Sequence, residues 1–357
     1  MKKNPFPIWP VALVYLLFSA PVRAWDYDGH RLINQLALAS LPTNFPGFVL
    51  GPEARERIAF LGGEADRWRN SPDAGFRHCN GPDHYLDIEY LKTYGIDAAE
   101  LSPFRYEFAA QLATARAAHP DRVPPVDAHK DSDRTRVLIG FLPWTIAEYQ
   151  GKLKSAFSYL KEFESAGTPE EIANAQANII YIMGVMGHFV GDGAQPLHTT
   201  KHHHGWIGDN PNHYSTNSSI HAWIDGGYLQ QFGVSAGKLR RDLRRAQILP
   251  LQQTGAAVTN VFPAVMSYLN EQFKQVEPLY KLEKEGKLSG RQELSAEGQD
   301  FITGQILRGG QMLGDLWLTA WQQAPPDTFL RSQLAKRKLS SVPQVPRNLS
   351  DKPNPGN

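Results

Sequence analysis

Apolar residues recur at i, i+3, i+4 spacing over nearly the whole chain, and strand-like alternation is scarce. The pattern predicts helices over Asp26–Leu41, Pro52–Arg69, Pro103–Ala118, Arg134–Ala166, Pro169–Val190, Ser219–Phe232, Thr254–Glu285 and Ala296–Ala324. Pro52, Pro103 and Pro169 stand where a helix can start, because the missing N–H costs nothing in a first turn. Such a chain can bury its apolar stripes only by packing helix on helix, so the expected fold is all-α. One multi-helix domain is expected over residues 25–324, followed by a Pro/Ser/basic tail over 325–357 expected to be disordered.

Residues 1–24 carry Lys2 and Lys3, an apolar run from Ile8 to Ala20, and the small-residue pattern Val22-Arg23-Ala24. This is the form of a secretory signal peptide, and the run falls short of the roughly 20 residues a spanning helix needs. The expected mature protein is therefore exported, periplasmic or secreted, without integral membrane association. Cleavage after Ala24 would make Trp25 the first residue, with a free α-amine of ordinary pKa near ~8 that a metal could take as a ligand.

Removing Lys2, Lys3 and Arg23 from 37 basic residues leaves 34 against 36 acidic ones. That balance excludes a polycationic surface for gripping duplex phosphates. The one cysteine, Cys79, rules out an intrachain disulfide and is expected to be a small buried apolar residue. Metal ions and a large core are left as stabilising devices.

The twelve histidines carry more information. In Gly187-His188-Phe-Val-Gly-Asp192-Gly-Ala-Gln195-Pro196-Leu-His198, His188 and Asp192 are i, i+4 on one helix face. Gly191, Gly193 and Pro196 are expected to break that helix and present His198 from the turn beyond it. His221 and Asp225 repeat the i, i+4 spacing, and imidazole with carboxylate suits a divalent ion such as zinc. His30 lies shortly after Trp25, Asp66 sits in Gly62-Gly-Glu-Ala-Asp66-Arg-Trp-Arg69, and His84 opens His84-Tyr85-Leu-Asp87. The segment Thr199 to Ser218, rich in His, Gly, Asn and Pro, is long enough to be functional, but its His202-His203-His204 run is expected to be solvated. The same holds for His78, His119, His129 and His213.

Taken in order, these motifs resemble the S1/P1 nuclease family, whose wider fold is shared with zinc-dependent phospholipase C. The resemblance runs from Trp25 to about Asp225. It implies three zinc ions per chain: one held by Asp66, His84, His188 and Asp192, a second by Trp25, His30 and a bridging Asp192, and a third by His198, His221 and Asp225. It implies hydrolysis of single-stranded DNA or RNA to 5′-phosphorylated products by zinc-activated water attacking phosphorus, with 3′-nucleotidase activity as a companion. Asp66 and Asp192 would act through the metals, and Arg69 would contact the transition state. Tyr85 would stack on a base and Asp87 would accept hydrogen bonds from it. No stable protein partner is implied.

Without disulfides, the chain looks like a bacterial exported member of that family. Its Lys201-to-Asn210 stretch departs from the family's usual Gly/Asn-rich segment. Two other readings use the same residues: a zinc-dependent phospholipase C acting on phospholipid head groups, and an exported zinc-binding protein without catalysis. The phospholipase branch usually ends its ligand set in His-x3-Glu, where this chain has His221-x3-Asp225.

Overall fold

The computed structural model describes residues 25–254, 258–290 and 293–340. The expected signal peptide and its cleavage point before Trp25 lie outside them. The helices are α1 (Tyr27–Ser40), α2 (Pro52–Leu61), α3 (Glu64–Arg69), α4 (Ala74–Asn80), α5 (Ile88–Thr93), α6 (Arg105–Ala118), α7 (Leu142–Ala166) and α8 (Pro169–Ala194). They continue as α9 (Ile220–Ala222), α10 (Tyr228–Phe232), α11 (Ala236–Leu239), α12 (Phe262–Phe273), α13 (Val276–Lys284), α14 (Ala296–Gln322) and α15 (Thr328–Ser340). The fold is all-α. Its only strands among the described residues are a short antiparallel ladder, Gln252–Thr254 with Val258–Asn260, where helix was expected from Thr254 onward.

α8 is the central element. α7, α2 and α14 pack around it, and α1 lies against both α14 and α2. It starts with a capping box, Thr168 accepting from the Glu171 N–H while the Glu171 carboxylate accepts from the Thr168 N–H. It then runs through Gly191 and Gly193, correcting the expected break there, and ends only at Gln195-Pro196. These glycines serve close packing. A Cβ at Gly187 would fall inside the amide of Asn34 on α1, and one at Gly191 would lie 2.7 Å from His30 Nδ1. Asn34 is itself buried, and its Nδ2 donates to the carbonyls of Ile58 (2.8 Å) and Gly184 (3.1 Å), tying α1 to α2 and α8.

Other boundaries shift for local reasons. Gly62-Gly63 divides the expected Pro52–Arg69 helix into α2 and α3. The expected Arg134–Ala166 helix starts only at Leu142, since Arg134 has φ 59° and Gly140 φ 97°. Lys274-Gln275 separates α12 from α13.

The tail is a larger correction, because α15 occupies its first part. Arg331 donates from Nε and a terminal nitrogen to Glu162, both at 2.8 Å, Arg337 grips Glu171 at 2.7 and 3.0 Å, and Leu334 is buried. A basic helix is thus held by carboxylates of α7 and α8 that the linear pattern does not connect to it. Residues 341–357 lie outside the described ones. Cys79 is also corrected: it is exposed, on an α4 that buries none of its side chains.

Candidate metal centre

Eight imidazole and carboxylate side chains converge at the C-terminal half of α8. His188 and Asp192 come from α8 itself, His30 from α1 and Asp66 from α3. His84 ends the 3-10 turn Gly81–His84, and His198 ends the turn Pro196–His198. His221 lies on α9, and Asp225 sits in the single π-helical turn Trp223–Gly227 that follows it. All eight are buried.

The side chains fall into three groups, His30/His188/Asp192, Asp66/His84/His188 and His198/His221/Asp225. In each group, one ligand atom per residue lies within 4.8 Å of the others. His188 and Asp192 hold the centre together. Asp192 Oδ2 is 2.9 Å from His84 Nδ1 and 3.4 Å from His188 Nε2, while its Oδ1 is 3.6 Å from His30 Nε2. His188 Nε2 is also 3.8 Å from Asp66 Oδ1. In the third group, His221 Nε2 lies 3.0 Å from His198 Nε2 and 3.1 Å from Asp225 Oδ2.

The outward hydrogen bonds decide which ring nitrogens face inward bare. His188 Nδ1 lies 2.7 Å from the Gly62 carbonyl and His198 Nδ1 lies 2.6 Å from the His84 carbonyl. A carbonyl only accepts, so in a neutral ring each Nδ1 carries the proton and each Nε2 turns a lone pair toward the centre. Those lone pairs meet other acceptors. Both nitrogens of His30, Asp192 Oδ1, His221 Nδ1 and Asp225 Oδ2 are buried without a hydrogen-bond partner. Buried polar atoms are normally paired, and a concentration of unpartnered ring nitrogens and carboxylate oxygens is costly unless cations fill it. The donor set fits borderline divalent ions of the zinc kind.

Electrostatics agree. Burial drives His30 and His221 far below the ordinary imidazole pKa and His84 down to about 4, and it lowers His198 as well. Those rings are neutral, the form a metal needs. At His188 burial also works against the charge, but Asp192 and Asp66 outweigh it and the net shift is upward. Burial opposes ionisation of Asp192, yet His188 and His198 keep it charged well below the usual carboxylate range. Burial pushes Asp225 well above that range, against the bond from Gln195.

Arg69 reaches Asp66 through Nε at 2.9 Å, and its charge is felt at His84, His198 and His221. Trp25 has a fully buried side chain, and the next residue ties it to the third group, because the Asp26 N–H donates to the Asp225 carbonyl at 2.9 Å. Tyr85 is half-buried beside His84. Asp87 is buried and begins α5 without a side-chain capping bond, and its Oδ1 has no hydrogen-bond partner. Burial, then the neighbouring Glu89, pushes its carboxyl well above the usual range.

Two contributions escape a reading of the sequence. Gln195 donates from Nε2 to Asp225 Oδ1 at 2.6 Å and accepts the Leu197 N–H at 2.8 Å, fixing a ligand thirty positions away. Its position between Asp192 and His198 was the available signal. The run His202-His203-His204 is not simply solvated: His202 is buried and stacked on Trp206, and its two neighbours lie beside His221. A cavity of about 660 Å³ between α12 and α14 is lined by other residues, among them Arg244, Tyr268 and Arg308.

Compared with protein-family models and with curated proteins, the sequence gives no match. Fold and site together define an all-α protein with three adjoining buried His/Asp groups that could hold metal ions. No helix among the described residues is long and apolar enough to cross a membrane.

Proposed function

We propose that this chain is an exported zinc-dependent phosphodiesterase that cleaves single-stranded DNA or RNA to 5′-phosphorylated products. The observation that carries the reading is the convergence of eight buried imidazole and carboxylate side chains into three adjoining groups, two of which share His188. A structural metal site closes with one set of four ligands, whereas adjoining groups suit a phosphate between ions.

Asp66, His84, His188 and Asp192 would hold one zinc, His30, Asp192 and the Trp25 terminus a second, and His198, His221 and Asp225 a third. When bound, zinc supplies Lewis acidity and acidified water. The chain's residues do the rest. The Gly62 and His84 carbonyls hold His188 and His198 in the required tautomer. Asp192 splits its two oxygens between neighbouring groups. Arg69 would make a charge-assisted contact to a phosphate oxygen, and Tyr85 with Asp87 would take one base. In the net reaction a water oxygen bonds to phosphorus, the P–O3′ bond breaks, and a proton ends on O3′. Single strands are favoured because a stacked, paired base cannot enter such a site.

The test is hydrolysis of denatured DNA and RNA by protein beginning at Trp25, with and without added zinc, alongside its metal content. Zinc-dependent release of 5′-phosphorylated nucleotides is expected. Protein that holds its zinc and releases none would sink the proposal. Hydrolysis of phosphatidylcholine by that same protein would then show a phospholipase.

A further inference from the structure

The near balance of charge over the chain is not evenly spread. Five of the eight residues from Lys238 to Arg245 are basic and one, Asp242, is acidic. All five basic residues are exposed. The backbone beneath them is fixed to the helical body. Leu239 and Ala246 are buried towards its two ends, and the Ala246 N–H donates to the Ser40 carbonyl of α1 at 2.8 Å. On the α14 side, Arg244 grips Asp315 with both terminal nitrogens, and the Gln247 N–H donates to the same carboxylate at 2.8 Å. Arg240, Arg241 and Arg245 have no ion pair and no side-chain hydrogen bond among the described residues.

Each end of this segment opens into a hollow that holds a further arginine. Arg240 lines a hollow of about 380 Å³ together with Arg55, where α1, α2 and α11 meet. Arg244 lines the cavity between α12 and α14 together with Arg308. Arg55 donates from Nε to the Leu50 carbonyl at 3.0 Å, and Arg308 donates from one terminal nitrogen to Gln305. The carboxylates that line these hollows are already matched: Glu56 by Arg31, Asp315 by Arg244 and Glu271 by Lys274. What remains is a strip of unmatched guanidinium groups running from one hollow to the other.

We propose that Arg240, Arg241 and Arg245, flanked by Arg55 and Arg308, hold the phosphate backbone of a single-stranded nucleic acid at a distance from the metal centre. The proposal rests on the nuclease reading above and deepens it: the favoured substrate is a strand long enough to meet both places. Guanidinium groups meet phosphate oxygens through two parallel N–H donors. Ser40, where the strip is tied to α1, lies roughly 15 Å along that helix from His30 at 1.5 Å per residue. A strand must therefore run for several nucleotides between them. Hollows at both ends suit a thread-like polyanion better than a flat lipid surface, because a strand can enter each of them.

The experiment measures binding of phosphorodithioate oligothymidylates, charged but resistant to hydrolysis, to the zinc-loaded protein over a range of salt concentrations. One probe is a dinucleotide and the other is about twenty nucleotides long, enough to cover that span. In Arg240→Ala/Arg241→Ala/Arg245→Ala the long probe is expected to bind about tenfold more weakly or worse. The slope of its log affinity against log salt should fall by about 2, since each phosphate contact on a single strand contributes about 0.7. Dinucleotide binding should stay unchanged, because these exposed side chains support no ligand of the centre. Unchanged affinity and slope for the long probe would overturn the proposal, as would equal losses for both probes. Loss of binding to phosphatidylglycerol vesicles, with the long probe unaffected, would overturn it in favour of lipid. If variant and unsubstituted protein bind the long probe alike and both cleave single strands, only the strip falls. If the unsubstituted protein neither binds nor cleaves them, the nuclease reading falls with it.

Discussion

Gln195 Nε2 donates to Asp225 Oδ1 at 2.6 Å, joining the turn after α8 to the π-helical turn after α9. Both side chains are buried, so the bond orients one carboxylate oxygen outward and leaves Oδ2 facing His221 at 3.1 Å. Gln195→Leu should keep the volume and lose the orientation. We expect zinc affinity of the third group to fall about 10- to 100-fold, the usual cost of removing a partner behind a metal ligand. Competitive zinc titration checks this; an unchanged third dissociation constant would show that Asp225 needs no support.

Asp192 serves two groups at once through its two oxygens. Asp192→Asn is expected to loosen two metals together, dropping zinc content from three to about one per chain, and to abolish phosphodiester hydrolysis. Elemental analysis after dialysis reads the first and a nuclease assay the second. Loss of a single metal would remove Asp192 from its bridging role.

Asp26, the residue after Trp25, donates its N–H to the Asp225 carbonyl at 2.9 Å. If the α-amine of Trp25 is a ligand, protein with one extra residue before Trp25 should bind one zinc fewer than protein starting at Trp25. Equal zinc content in the two forms would contradict the amine ligand.

The approach of α1 to α8 depends on Gly187, where an added Cβ would overlap the Asn34 amide. Gly187→Ala must displace Asn34 from its bonds to Ile58 and Gly184. Overpacking of this sort costs about 1–3 kcal/mol, measurable as a lower urea midpoint at unchanged slope. A neutral result would mean the two helices separate at little cost.

Glu171 has its pKa lowered from 4.5 to about 2 by the Arg337 side chain and then by the Thr168 N–H. The folded state therefore binds this proton less readily than the unfolded one. Its stabilising effect is present above pH 4.5 and is lost as the pH falls from there through about 2. Glu171→Gln should lower stability at neutral pH and flatten its decline across that window. Urea titrations at several pH values test this; parallel pH profiles would show that the carboxylate is not linked to folding.

Half of the candidate ligand set was legible in the sequence for a geometric reason. His188/Asp192 and His221/Asp225 each lie four residues apart, and a single helical segment is enough to turn both members the same way. The long helices α7, α8 and α14 were legible too, because a 3.6-residue apolar period repeats through them. Glycine misled the reading at α8: Gly191 signals a break locally, yet its missing side chain makes room for His30 from another helix.

The sequence alone determined the helical class, the absence of an intrachain disulfide and the types of residue available to bind a metal, since these follow from local periodicity and composition. Only tertiary structure decided that the His188 and His198 lone pairs point inward, that Gln195 orients Asp225, and that α15 docks on α7 and α8. Each of these depends on groups distant in the chain meeting within a few ångströms, and no local pattern carries that information. Burial then fixes their chemistry, because an unpaired polar atom away from water must find a partner or a metal.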